Sequence, residues 1–137
     1  MASRDPEKMC PMLRHFWWRL SAWYIKKFPD RNLILTATYR TPKEQFSIFK
    51  RNRPGMILTK CDGYEKKSKH NYLPSHAFDV AVMAPQGAYG KVVVWEEEYY
   101  KPFAEAMAFL DPQGKFRWGG NFSFKDYPHF EVFWPRK

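Results

Sequence analysis

The sequence predicts an α+β fold in which a small antiparallel sheet is flanked by helices. Segments with helical and with strand periodicity are mixed along the chain, without the regular β-α-β alternation that builds parallel sheets. Near the end, two short β-rich segments are joined by a loop that contains glycines, a pattern typical of a hairpin. The 137 residues fit a single domain, 1–137, and a hydrophobic fraction of 45% provides enough apolar side chains for its core.

The first predicted element is a helix from Met9 to Phe28, whose apolar residues recur at helical spacing. Pro11 is expected in its first turn, and Pro29 marks its end. A membrane-seeking amphipathic helix would have the same pattern, but packing against a core explains it as well. Charged residues interrupt the stretch, so it is neither a signal-peptide core nor a membrane span.

A strand and a short helix are predicted next. Leu33–Thr38 is apolar and β-branched without a breaker, as in a strand. Thr41–Glu44 has the residues of a capping box, with threonine as N-cap, proline at the first helical position and glutamate three residues past the cap. The helix that follows is expected to bury Phe46 and Phe49, and Ile57–Thr59 is expected to form a short strand.

The segment from Cys61 to Pro74 is polar and is predicted to be a long loop. Long loops inside compact domains are more often functional than idle. The loop leads into Ala77–Ala84, a strand that is expected to be buried on both faces. Asp79 lies at its centre, where a carboxylate is costly to bury unless it is paired or bound to a metal.

A second long helix is predicted for Trp95–Leu110, which has large apolar residues on one face. Phe116–Trp118 and Pro128–Trp134 are predicted to be the strands of the terminal hairpin. The loop between them contains Gly119 and Gly120, which allow another backbone segment to pass close by.

The formal charge of +9 indicates an anionic partner, but charge alone does not choose between nucleic acid, phospholipid headgroups and an acidic wall polymer. The basic residues are scattered and form no continuous stripe along a helix, which disfavours a nucleic-acid-binding protein. Cys10 and Cys61 are too few for a disulfide scaffold and form no CxxC pair, so two free thiols are expected.

Two segments combine histidine with carboxylates. His70 lies in the long loop that precedes the strand of Asp79, and His129 begins the last strand. Two imidazoles and a carboxylate leave a fourth tetrahedral position open, the arrangement of catalytic zinc, which lowers the pKa of its water to roughly 7. Asp126, three residues before His129, is a candidate general base. Glu131 shares a strand face with His129, so it either orients that imidazole or is an alternative base.

Five blocks of the sequence resemble, in the same order, the M15 peptidases, a group of zinc D-Ala-D-Ala carboxypeptidases and L-alanyl-D-glutamate endopeptidases that includes short phage endolysins. The blocks are Thr36–Thr41 with Gln45 following, Ser68–His70, Ala77–Asp79, Trp118–Gly120 and Asp126–Glu131. They span positions 36–131. The resemblance implies a fold of the Hedgehog and D,D-peptidase type.

The resemblance also implies roles for particular residues. His70, Asp79 and His129 would hold one zinc ion per chain, and Asp126 would be the base. Arg40 would bind the substrate or the developing oxyanion, for which a permanently charged planar guanidinium is suited. The residues implied to support the ligands or contact the substrate are Glu131, Gln45, Ser68 and Trp118.

One spacing departs from the usual pattern of these peptidases. The distance from His70 to Asp79 is two residues longer, and His76 lies in the same loop. His70 is the preferred ligand because Ser68–His70 matches the motif. His76 is separated from Asp79 by too short a segment to wrap around a metal ion.

The expected function is hydrolysis of peptidoglycan stem peptides, at the L-Ala–D-Glu bond first and at D-Ala–D-Ala second. Alternatives from other classes are a non-catalytic zinc-binding module and a basic nucleic-acid-binding module. The chain is expected to be a monomer that uses peptidoglycan, binds no nucleic acid and does not insert stably into a membrane. No signal peptide is visible, so a phage-type lysin would accumulate in the host cytoplasm before it acts on the cell wall.

Overall fold

The computed structural model describes residues 2–133; Met1 and residues 134–137 lie outside the described part. The α-helices are α1 (Pro11–Lys27), α2 (Pro42–Phe49) and α3 (Phe103–Leu110). The strands are β1 (Asn32–Ala37), β2 (Ala77–Pro85), β3 (Lys91–Val94), β4 (Phe116–Trp118) and β5 (His129–Val132). Across residues 2–133 they form one antiparallel sheet in the order β1-β2-β5-β4, and β3 pairs with the second half of β2. The predicted α+β class is confirmed.

Helix α1 is the core helix that its apolar spacing predicts. Pro11 occupies its first turn, and the helix ends at Lys27, two residues before Pro29. The residues buried on its inner face are Leu13, Phe16, Trp17, Leu20 and Tyr24. No helix within residues 2–133 is long and apolar enough to cross a bilayer.

Alternation along β2 and β5 separates the apolar core from a polar face of the sheet. Phe78, Val80 and Phe130 point to the helices and are fully buried. The rings of Phe78 and Phe130 stack with their centroids 5.1 Å apart. Asp79 and His129 alternate with these residues and therefore project from the opposite face. The aromatic core thus supports the polar face from behind.

Helix α2 buries a different residue from those predicted. Its capping box is present, since the Thr41 hydroxyl accepts a hydrogen bond from the Glu44 amide at 3.1 Å and the Glu44 carboxylate accepts one from the Thr41 amide at 2.9 Å. However, Phe46 is 37% exposed and Phe49 is only half-buried, whereas Gln45 is fully buried. The glutamine takes the inner position because it finds hydrogen-bond partners there.

The strand predicted at Ile57–Thr59 is wrong. The side chain of Asn52 accepts a hydrogen bond from the Leu58 amide at 2.8 Å and donates one to the Thr59 carbonyl at 2.7 Å. A side chain therefore satisfies the backbone groups that a neighbouring strand would otherwise bind. The segment is a loop that folds around Asn52.

The helix predicted at Trp95–Leu110 is too long at its start. Pro102 has no amide hydrogen, and α3 begins after it at Phe103. A short 3₁₀ turn at Glu97–Tyr99 precedes the proline. Strand β3, just before this region, is not predicted from the sequence. The predicted hairpin pairs as expected, but Trp134 lies outside the described residues.

The loop predicted from Cys61 to Pro74 is confirmed, with a short 3₁₀ turn at Lys69–Asn71. The loop brings His70 to Asp79. Cys10 and Cys61 are both free thiols, as expected.

Candidate metal centre

Three side chains converge on the polar face of the sheet. Asp79 Oδ1 lies 3.3 Å from His70 Nε2 and 3.0 Å from His129 Nδ1. One ligand atom from each of the three residues lies within 4.8 Å of the other two. The structure therefore brings together the residues that the sequence predicts as metal ligands.

The register of the sheet positions two of these residues. Asp79 of β2 is directly opposite His129 of β5, so both side chains leave the sheet on one face. On the other edge of β2, Asp79 pairs with Ala37 of β1. The pairing of β1 with β2 shifts between Leu35 and Ala37, as at a β-bulge. Bulges of this kind occur often beside functional sites, where they redirect a strand. Here the redirected chain continues into Thr38, which contacts the site.

A short turn positions the third residue, His70. The Ser68 hydroxyl accepts a hydrogen bond from the His70 amide at 3.2 Å, and the Asn71 side chain accepts one from the Ser68 amide at 2.8 Å. The His70 Nδ1 donates to the Thr38 carbonyl at 2.8 Å, which turns Nε2 towards Asp79. Ser68 therefore caps the turn that presents a predicted ligand.

A carboxylate fixes the second imidazole. His129 Nε2 lies 2.8 Å from Glu131 Oε1, and Glu131 forms an ion pair with Lys69 at 2.8 Å. Glu131 thus contacts the imidazole nitrogen that points away from Asp79. This geometry suits a group that sets the tautomer and basicity of a metal-binding histidine. It does not suit the alternative role of base, because the imidazole separates Glu131 from the cluster.

The charges in the cluster are strongly coupled. Burial alone would lower the pKa of His129, but hydrogen bonds with Asp79 and Glu131 raise it to about 10. Burial would raise the pKa of Asp79, but the charge of His70 and the hydrogen bond from His129 hold it far below its usual range. Burial would also raise the pKa of Glu131. Hydrogen bonds from His129 and Lys69 instead lower it to about 2. The cluster therefore stabilises positive charge between its carboxylates.

The donor set fits a zinc ion. Two imidazole nitrogens and one carboxylate oxygen are the ligand types of catalytic zinc sites. Zinc bonds of about 2.1 Å hold tetrahedral ligands about 3.4 Å apart, close to the observed spacings of 3.0 and 3.3 Å. The second nitrogen of each imidazole also has an oxygen partner, the Thr38 carbonyl or the Glu131 carboxylate, as is usual for metal-binding histidines.

Two glycines and a tryptophan hold the segment that carries Asp126. The Gly119 carbonyl accepts a hydrogen bond from the Asp126 amide at 2.9 Å, and a Cβ on Gly119 would lie 2.1 Å from the Asp126 carbonyl oxygen. The Trp118 indole donates to the Tyr127 carbonyl at 2.8 Å. A Cβ on Gly120 would lie 2.2 Å from the Trp118 ring. Both positions therefore require glycine for this packing.

Asp126 itself is exposed, and its carboxylate makes no hydrogen bond within residues 2–133. Partial burial by neighbouring groups and the negative charge of Asp79 raise its pKa, while the charges of the two cluster histidines and Arg40 oppose the rise. Because water reaches the side chain, screening limits the shift. An accessible carboxylate whose charge responds to the cluster has the properties of a general base.

Arg40 reaches the cluster from the segment before α2. Its guanidinium donates to Gln45 Oε1 at 2.7 Å and lies 3.9 Å from Asp79 Oδ2. Gln45 in turn donates to the Thr59 hydroxyl and to the Cys61 carbonyl, each at 3.0 Å. The buried glutamine therefore anchors a positive charge at the edge of the candidate metal centre.

His76 lies apart from the cluster. Its ring stacks on Tyr72 with centroids 4.7 Å apart, and burial lowers its pKa. Within the described residues, the atoms that can hold a metal ion come from His70 and not from His76. The geometry thus agrees with the choice of ligand made from the motif.

Comparison with known proteins identifies the family. A family model described as D-alanyl-D-alanine carboxypeptidase matches residues 62–132, just over half of the chain. This chain belongs to the M15 peptidase family. The matched range includes the three predicted zinc ligands and Asp126, whereas Arg40 and Gln45 precede it.

Known proteins that are similar to this M15 peptidase include one from Bacillus subtilis and one from Serratia marcescens. The peptidoglycan L-alanyl-D-glutamate endopeptidase CwlK of Bacillus subtilis (strain 168) is 33% identical over 110 residues, which cover 74% of this chain and 60% of that protein. This chain therefore spans less than two thirds of the relative's length. The crystal structure of the Serratia marcescens L-Ala D-Glu endopeptidase ChiX has a TM-score of 0.64 at 24% identity, covering 97% of this chain and 89% of that chain. That likeness shows a shared fold.

Sequence reasoning missed several groups that support the predicted ligands. Lys69 holds the carboxylate beside His129, and Asn71 closes the turn around the other histidine. The spacing of Ser68 and Asn71 is a capping pattern, which is a usable signal for the turn. The Thr38 carbonyl has no such signal, because every residue carries a backbone carbonyl.

Proposed function

We propose that this chain is a zinc peptidase that hydrolyses the L-Ala–D-Glu bond of peptidoglycan stem peptides. The observation that carries the proposal is the convergence of His70, Asp79 and His129, with the accessible carboxylate of Asp126 on a segment packed beside them. Membership of the M15 peptidases supports the class of reaction. The choice of bond is supported by the Bacillus subtilis relative, which is named a peptidoglycan L-alanyl-D-glutamate endopeptidase.

The side chains of the centre would divide the work of hydrolysis. Zinc held by the three ligands would polarise the scissile carbonyl and lower the pKa of a water molecule to roughly 7. The Asp126 carboxylate accepts a proton from the attacking water and delivers it to the leaving nitrogen as the carbon–nitrogen bond breaks. The products are a carboxylate on alanine and a free amine on glutamate. The Arg40 guanidinium faces the negative charge that develops on the carbonyl oxygen.

Digestion of purified peptidoglycan by the zinc-loaded protein tests the choice of bond. Mass spectrometry of the fragments should find new amino termini on glutamate. Release of free D-alanine would instead identify a D,D-carboxypeptidase, the second candidate, which the description of the matching family model favours. Zinc-loaded protein that leaves the wall uncut would be a non-catalytic zinc module.

We also propose a phage-type lytic role, in which the enzyme accumulates in the host cytoplasm and acts once the membrane is breached. The net charge of +9 supports attraction to an anionic envelope. Cells that express the protein in their cytoplasm should stay turbid until the membrane is permeabilised and should then clear. The Asp126→Asn variant is the control for membrane damage alone. Equal clearing with both proteins would refute the lytic role.

A further inference from the structure

A cavity of about 380 Å³ adjoins the candidate metal centre. Residues of β1, α2 and β2 line it together with Ala2, Arg40 and Arg51, and Asp79 belongs both to the cavity and to the metal centre. The charged side chains that line it are Arg40, Glu44, Arg51 and Asp79. We name it the arginine cavity after its two guanidinium groups.

Three of these four charges already have partners inside the protein. Arg40 donates to Gln45 at 2.7 Å, and Asp79 contacts both predicted histidine ligands. The carboxylate of Glu44 accepts a hydrogen bond from the Thr41 amide at 2.9 Å as part of the capping box. The fold therefore uses these three groups to position its own elements.

Arg51 is the fourth charge, and the fold does not use its guanidinium. Its backbone amide donates to the Ile48 carbonyl at 3.0 Å, which holds the residue in the turn that ends α2. The residue is exposed, and its side chain makes no ion pair or hydrogen bond in the part of the chain that the structure describes. A guanidinium offers parallel donors that match the two oxygens of a carboxylate. Arg51 thus presents an anion-binding group to the arginine cavity.

We propose that the arginine cavity receives the residue that supplies the leaving amine, and that Arg51 binds the free α-carboxylate of this residue. The inference rests on the proposed function and adds a determinant of specificity to it. In a peptide that is cut between L-Ala and D-Glu, the scissile nitrogen and the α-carboxylate are bonded to the same carbon atom. With the scissile bond at the metal centre, this carboxylate lies two bonds from the scissile nitrogen, and the arginine cavity adjoins the centre at Asp79.

Two stem-peptide fragments test the proposal, L-Ala-γ-D-Glu-L-Lys and the same peptide with an α-carboxamide on glutamate. The zinc-loaded protein should favour the carboxylate by about tenfold in kcat/KM, since a charge-assisted pair distinguishes the two. Arg51→Gln should raise KM for the carboxylate about tenfold with little change in kcat, and should abolish the preference. It should leave the carboxamide peptide unaffected.

Arg53→Gln is the matched control, because it removes the same charge two residues away. Arg53 is exposed, donates to the carbonyls of Lys50 and Asn52 at 3.2 and 2.9 Å, and does not line the cavity. This variant should keep the preference of the wild type. A preference that survives in Arg51→Gln, or an equal loss on both peptides, would overturn the proposal.

The two proposals can fail separately. If the wild type cuts neither peptide, the proposed function fails, and an NMR titration of the same peptides into the zinc-loaded protein then decides on the subsite. Tighter binding of the carboxylate peptide that disappears in Arg51→Gln supports the subsite. Equal binding of the two peptides overturns it.

Discussion

Replacement of Gln45 by leucine should weaken zinc binding, although the Gln45 side chain bonds to none of the predicted ligands. Gln45 is fully buried and holds the Arg40 guanidinium at 2.7 Å, while that guanidinium lies 3.9 Å from Asp79. Leucine fills a similar volume but offers no acceptor. The guanidinium should therefore turn to Asp79 and compete with zinc for its carboxylate.

The distances set the size of this effect. A movement of about 1 Å converts the present separation into a charge-assisted hydrogen bond of about 2.8 Å. Changes to groups that support metal ligands typically cost about tenfold to hundredfold in metal affinity, and we expect a loss in that range. Competition with a chromophoric zinc chelator measures the affinity on purified protein. Activity should fall as well, because the guanidinium no longer faces the developing oxyanion.

Two variants distinguish this mechanism from general damage to the fold. Gln45→Glu keeps an acceptor for Arg40 but loses the donor to the Cys61 carbonyl, so its zinc affinity should stay closer to the wild type than that of Gln45→Leu. Adding Arg40→Gln to Gln45→Leu removes the competing charge and should restore zinc affinity without restoring activity. The reasoning is refuted if Gln45→Leu binds zinc normally, or if Arg40→Gln fails to restore the affinity that was lost.

Four further predictions concern the centre itself. Gly119→Ala should lower kcat/KM about a hundredfold. The new Cβ would lie 2.1 Å from the Asp126 carbonyl oxygen, whereas ordinary Cβ contacts begin at 3.4 Å. Asp126 must therefore move by about 1 Å, which is a large displacement for a catalytic group. Gly114→Ala, which meets open space, should alter stability without altering activity. Elemental analysis should find about one zinc per chain, with most of it lost in His129→Ala and retained in His76→Ala. Asp126→Asn should keep zinc and fold but lose activity by about 10²-fold or more in stopped assays on soluble peptide. After zinc is removed with a chelator, the thermal midpoint of unfolding should fall as the pH rises from 6.5 to about 10. The pKa of His129 is raised to about 10 in the folded protein, so the protonated imidazole stabilises the fold and this stabilisation is lost as the imidazole loses its proton. A midpoint that does not change with pH would contradict this.

The convergence of the predicted ligands follows from local sequence patterns. His129 and Glu131 alternate on a short strand, so they share a face wherever that strand lies. Asp79 is the carboxylate of an otherwise apolar strand, and an apolar strand belongs in the middle of a sheet. If these two strands pair, a register that keeps Phe78 and Phe130 in the core puts Asp79 and His129 on the same face. The sequence does not reveal which strands pair, but it limits the ways in which Asp79 and His129 can be arranged once they do.

The residues that α2 buries could not be predicted from the sequence, because apolar side chains were assumed to be the buried ones. Phe46 and Gln45 are adjacent, and apolar periodicity assigns the inner position to phenylalanine. Gln45 is buried because its amide satisfies a guanidinium, a hydroxyl and a backbone carbonyl that are distant in sequence. Partners of this kind come from tertiary structure. Buried polar networks are therefore poorly visible in a single sequence.

His70 and Asp79 both reach the cluster with the long spacing between them. Ser75 lies just before β2 and is fully buried, and its hydroxyl lies 2.6 Å from the Ala77 carbonyl and 3.0 Å from the Thr38 carbonyl, the same carbonyl that receives His70 Nδ1. Its amide donates to the Lys8 carbonyl at 2.7 Å, so the segment is also tied to the chain before α1. The segment from His70 to Ser75 is thus held at both ends near the Thr38 carbonyl, one residue after β1. The additional residues project outward between these anchors, where Leu73 is 61% exposed. A change of loop length at this point alters the surface and leaves the distance between the two ligands set by the sheet.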